Sequence, residues 1–148
     1  METTYSEQRD RISVDVILFL ARVTAAVVFF PHGAQHLMGS FGGPGLARFV
    51  AGLGPVGYLV AIGEFFGPMA LIAGIGSRFS AASIAIIMVG AVATRHYRYG
   101  FFMNWGGRQQ GEGFEYHLLA IALLLATVIA GPGRYSLARH WRMPKILK

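Results

Sequence analysis

The chain has 148 residues, of which 54% are hydrophobic and only 14% charged, and its formal net charge is +6. A water-soluble domain carries roughly 25% charged residues, so this composition excludes an ordinary soluble globule, and the absence of cysteine excludes disulfide scaffolds, thiolate metal centres and cysteine redox chemistry. The positive balance would suggest nucleic acid in a soluble chain, but here five basic residues gather at the C-terminal end, at Arg134, Arg139, Arg142, Lys145 and Lys148, which suits a membrane surface of anionic lipid instead.

The chain opens on a polar segment, residues 1–13, that contains acids and does not resemble a cleavable signal, so the apolar stretch after it reads as a retained span. That stretch, Val14–Pro31, is the first of four. The others are Pro55–Gly76, Phe79–Thr94 and Tyr116–Gly133. Each approaches the roughly 20 residues that a helix needs to cross the hydrocarbon layer. The third is short, and Arg78 and Arg95 at its ends could snorkel to extend it. Helix-stopping sequences close the first, second and fourth: Pro31-His32-Gly33, Gly74-Ile75-Gly76 and Gly131-Pro132-Gly133. The expected fold is an all-α membrane protein, a compact bundle of four transmembrane helices over residues 14–137 with a basic tail, 138–148. Gly63 and Gly67, Ala70 and Gly74, and the stripe Ala122, Ala126 and Ala130 are small residues that allow close helix approach, within the chain, against a partner or against a second copy.

An even number of spans places both termini on one side. Arg9, Arg11, Arg78 and the five C-terminal basic residues share that side, whereas Arg48, Arg95, Arg98 and Arg108 share the other. The positive-inside rule makes the first side cytoplasmic. The loop between the third and fourth spans, rich in aromatics and glycine, then faces outward and is expected to fold over the bundle.

Two ionisable residues interrupt the spans, Arg22 and Glu64. Such residues are costly in a bilayer and usually face the bundle interior. Arg22 lies nine residues before Pro31, and Glu64 nine after Pro55. At 1.5 Å per residue both should sit about 14 Å below one surface, so an ion pair between them is the simplest expectation. Pro68 removes the backbone bond to the carbonyl of Glu64 and should break the helix there. The pair is then either a structural lock between two helices or the centre of a ligand or proton site.

His32, His36, His96 and His117 fall at the outer ends of spans, with Glu112 and Glu115 nearby in sequence. They read as polar anchors at the interface, as proton-exchanging or headgroup-binding residues, or as metal ligands; no helical HExxH pattern supports a metalloprotease. No haem, flavin or iron–sulfur site is evident, and no metal site is assigned.

The segments HGAQHLMGSFGG, GEFFGPMALIAGIGSRFSA and GEGFEYHLLAIALLLATVIAGPGRYSL, in this order and spacing, resemble the DoxX family from about Arg22 to Leu137. The resemblance implies a four-span bacterial inner-membrane protein. It carries the family's first-span arginine onto Arg22, its His-Gly onto His32 and Gly33, its membrane acid onto Glu64, and its Glu-Tyr onto Glu115 and Tyr116. Where the family often has lysine, this chain has His36. The family takes its name from a subunit of a thiosulfate:quinone oxidoreductase and is also linked to oxidative-stress complexes. The expected function is a small membrane subunit supporting quinone-linked electron transfer with a redox partner protein, though whether the chain is itself an enzyme is left open. The quinone or lipid-like ligand would sit between helices near the outer leaflet. Arg22 and Glu64 would form its floor, with His32, His36, His96, His117 and Glu115 around it and Phe101, Phe102 and Trp105 as its cap. The alternatives are a non-catalytic anchor or assembly factor for a partner complex, and a carrier of protons or a small solute.

Overall fold

The computed structural model describes residues 2–141 and 143–144; Arg142, Lys145 and Lys148 of the predicted basic tail lie outside the described residues. Among those described, every regular element is helical: α1 (Glu2–Met38), α2 (Gly45–Leu53), α3 (Val56–Ala73), α4 (Ser77–Ala91), α5 (Glu115–Ala130) and α6 (Leu137–His140). A π-type turn, Val92–His96, and a 3-10 turn, Tyr97–Tyr99, prolong α4.

The helices α1, α3, α4 and α5 pack in a closed ring in that order, and α2 lies across one end against α1 and α3. The shared core holds Ala25, Ala26 and Phe29 of α1, Leu71 of α3, Ala81, Ile84 and Met88 of α4 and Leu124 of α5. The alanines bring the backbones close, and Gly63 and Gly67 of α3 receive Ile87 and Ile84 of α4. Outward faces are equally apolar: Leu20, Leu59, Phe66, Phe79, Ile86, Leu119 and Ile129 are all exposed. A soluble bundle would turn polar faces outward. Three helical stretches, Glu7–Met38, Val56–Ala73 and Ser77–Tyr99, are long and apolar enough to cross a membrane, while α5 is a shorter apolar helix.

Three expectations about the elements change. α1 does not stop at Pro31 but runs to Met38, where Gly39 at φ 74° closes it with an N–H bond to the Gln35 carbonyl. A proline deletes only one ladder bond, and close packing of Gly33 against α3 carries the helix onward. α3 likewise runs unbroken through Pro68, which corrects the predicted helix break. The carbonyl of Glu64 that Pro68 frees instead meets Gly33: a Cβ on Gly33 would collide with the backbone of Glu64 and Phe65, so only a glycine Cα–H fits against that oxygen. The third span is longer than predicted, because the helix continues past Ala91 to Tyr99. The stripe of Ala122, Ala126 and Ala130 faces mainly outward, with Ala122 and Ala130 exposed.

Candidate functional site

The bundle has two chemically different ends. One, where α1 finishes and α3 and α5 begin, gathers histidines. At the other, where α3 and α5 finish and α4 begins, arginines collect.

The expected pairing of Arg22 with Glu64 does not occur. The register between α1 and α3 explains why. Gly33 lies against Glu64, and the guanidinium of Arg22 lies near Gly74. Arg22 is about 11 residues from Gly33 along α1, so roughly 16 Å of helix separates it from the level of Glu64. Counting depth from Pro31 places Arg22 too close to Glu64, because the helix continues beyond that proline.

Arg22, 1% exposed, spends its guanidinium on backbone oxygens. It donates to Leu71 and Ile72 (2.7 Å for Ile72) in the last turn of α3, and to Pro132 (3.1 Å) and Tyr135 in the segment after α5. Phe19 lies 5.1 Å away under the cation. No acid is required: the carbonyls ending a helix carry a partial negative charge that a cation satisfies. Arg22 therefore ties three segments together at the arginine end and takes no part in a floor beneath the histidines.

Glu64 has a different partner. It is 4% exposed and its Oε2 stands 2.7 Å from Nδ1 of His36. A carboxylate only accepts, so the imidazole N–H donates to it. The ring of His36 stacks on Phe49 of α2, with centroids 3.8 Å apart and planes at 11°. This aromatic lid shields one face of the pair. Continuation of the helix through Gly33 makes the contact possible, since a turn there would carry His36 away.

The remaining histidines meet on the neighbouring side. The π-type turn at the end of α4 brings His96 to a ring distance of 4.2 Å from His117 of α5. Nδ1 of His96 donates to the Glu112 carbonyl at 2.8 Å. His117 is 5% exposed, and its Nδ1 has no hydrogen-bond partner among the described residues. His32, exposed on α1, lies within electrostatic range of His117, as Glu64 does of Tyr116. The hydroxyl of Tyr116 is buried without a partner too. Buried polar groups are nearly always paired, so two such orphans on consecutive residues mark unspent hydrogen-bonding capacity. Among the described residues no three His, Asp or Glu side chains are arranged to hold a metal ion.

The acidic and aromatic loop residues do other work than expected. Glu115 Oε1 accepts the backbone N–H of Met103 at 2.9 Å and the indole N–H of Trp105 at 3.3 Å. Glu112 Oε2 accepts the N–H of Asn104 at 2.6 Å. Both carboxylates thus pin the loop. Phe101 rests edge-on against Phe114 at 5.6 Å, but Phe102 is 67% and Trp105 89% exposed, so these aromatics do not cap the histidines. The structure adds Phe49 to the site and gives Tyr116, named above only through the family's Glu-Tyr, a place in it. Phe49 carries no chemical signal of its own, whereas Tyr116, immediately before a buried histidine, does.

A protein-family model described as DoxX matches residues 17–97, more than half of the chain. The matched stretch contains Arg22, His32, His36, Glu64 and His96, and ends before Tyr116 and His117. No curated protein and no solved structure matches.

Proposed function

The chain belongs to the DoxX family, and on that premise we propose that this small membrane protein is a four-span subunit of the bacterial inner membrane, with both termini in the cytoplasm. It would support quinone-linked electron transfer, with the quinone headgroup held at the histidine end.

The observation that carries the proposal is the pair of buried, unpartnered groups, the Tyr116 hydroxyl and His117 Nδ1, beside the bond between buried Glu64 and half-buried His36. A headgroup with oxygens on opposite sides of a ring needs hydrogen-bonding groups in an apolar setting, and reduction of a quinone takes up two electrons and two protons. Tyr116 donates to one oxygen and His117 bonds to the same or the opposite one. His36 donates to Glu64 across 2.7 Å, a contact through which a proton can pass. His32, exposed on α1, lies within electrostatic range of His117. A partner protein supplies the electrons.

Glu64→Gln tests the proposal. The amide keeps the size and one hydrogen bond to His36 but cannot carry the proton. Normal insertion and assembly with loss of the partner's quinone activity supports a proton-handling site. Normal assembly with full quinone activity refutes it.

The exposure of Phe102 and Trp105 favours a second function, that of an anchor or assembly factor. Their loop is fixed by Glu112 and Glu115, and a rigid loop displaying large aromatics suits a protein partner. Under that account Trp105→Ala abolishes co-purification with the partner, whereas Glu64→Gln leaves the partner's activity intact.

A further inference from the structure

The arginine end carries a groove that the proposal above does not use. A cleft of about 490 Å³ opens between the first helix and the end of α5, lined by Val14, Asp15, Leu18, Arg78, Ala130 and Arg139 among others. A second cleft of about 370 Å³, containing Asp10 and Arg11, shares Val14, Asp15 and Arg139 with it. The two form one groove with alternating charges. Although three arginines and two aspartates line it, none is paired within 4.0 Å with an opposite charge among the described residues.

Two of these groups are fixed in place. Arg78 Nη1 donates to the Val128 and Ile129 carbonyls at the end of α5 (2.8 Å for Ile129). Its Nε and Nη2 lie over Gly131, where the missing side chain leaves room for them, and they donate to no acceptor among the described residues. Asp15 Oδ1 accepts the backbone N–H of Arg134 at 2.8 Å, while Oδ2 accepts no hydrogen bond among the described residues. The groove thus presents fixed donors and a fixed acceptor separated by open space. Its apolar wall of Val14 and Ala130 is exposed and continuous with the outward apolar faces of the helices.

We propose that this groove binds the headgroup of a zwitterionic aminophospholipid of the phosphatidylethanolamine type. The phosphodiester accepts from Arg78 and Arg139, the primary ammonium donates to Asp15, and an acyl chain follows Val14 and Leu18 into the apolar layer. Charge complementarity selects this occupant. A glycerol headgroup offers Asp15 only a neutral hydroxyl in place of a cation, and a quaternary choline has no N–H to give it. The groove also lies at the ends of apolar helices, where α4 begins and α5 finishes.

Native mass spectrometry of the detergent-solubilised protein tests this, with phosphatidylethanolamine, phosphatidylglycerol and phosphatidylcholine of identical acyl chains added in turn. The wild type should retain phosphatidylethanolamine in preference to both others. Asp15→Asn keeps an oxygen for the Arg134 N–H but loses the charge; it should cut phosphatidylethanolamine occupancy about tenfold, the worth of one charge-assisted hydrogen bond, and spare phosphatidylglycerol. Arg139→Gln should weaken both. Equal retention of the three lipids by the wild type, preference for phosphatidylglycerol, or an Asp15→Asn protein with unchanged selectivity overturns the proposal.

Discussion

Gly33→Ala is the sharpest perturbation of the bundle. The new Cβ would meet the carbonyl oxygen and carbon of Glu64 and the nitrogen of Phe65, all backbone atoms of α3. No rotamer change relieves such a clash. Ordinary contact lies near 3.5 Å, so the two helices must separate by about 1 Å at this level. That movement also unsettles Phe30 on Phe65, whose rings are 5.2 Å apart, and the His36–Glu64 bond. Overpacking a tight core costs about 1–3 kcal/mol, and a clash with rigid backbone belongs at the top of that range, so the expected loss is about 3 kcal/mol. Gly90→Ala is the control: it makes the same change on α4 with open space around the site, where helix propensity predicts a gain of up to about 1 kcal/mol. Reversible unfolding in mixed micelles, followed by circular dichroism, measures both. Equal stabilities for the two variants, or a Gly33→Ala protein as stable as wild type, would refute the register between α1 and α3.

Arg22→Lys should cost about 3 kcal/mol, since one ammonium cannot serve carbonyls in both α3 and the segment after α5. Combined with Glu64→Gln in a double-mutant cycle, its effect should add within about 0.5 kcal/mol, as for separated sites; a coupling energy well above that would restore the ion pair. Glu115→Ala releases the N–H groups of Met103 and Trp105. Hydrogen exchange of residues 101–105 should accelerate while that of α3 stays unchanged. Trp105→Ala, at a site 89% exposed, should leave stability within about 0.5 kcal/mol of wild type.

Composition and apolar run length were enough to identify an all-helical membrane protein, because both report directly on the solvent that the outer faces meet. The chemistry of individual residues was legible too. Glu64 stands out as an acid in an apolar run, and it is buried; His117 stands out as a histidine at a span's end, and it carries an unpartnered nitrogen. Register was not legible. Pro31 and Gly33 both read as a helix stop, yet tertiary packing of Gly33 on α3 overrides that local signal. The register of Gly33 on Glu64 moves Arg22 about 16 Å from the level of Glu64 and makes His36 the true partner. The loop carboxylates were misread for a related reason. Their bonds to the Met103 and Asn104 amides and the Trp105 indole depend on loop geometry that no spacing rule encodes.

The central claim is that Tyr116 and His117 at the histidine end offer their unspent polar groups to a quinone headgroup. Binding of a short-chain ubiquinone to the purified protein in nanodiscs, titrated by quenching of intrinsic fluorescence, tests it most directly. Saturable binding is expected for the wild type, with a loss of about tenfold in affinity for each of Tyr116→Phe and His117→Phe at unchanged unfolding temperature. No saturable binding by the wild type, or binding that both variants retain in full, would contradict the account.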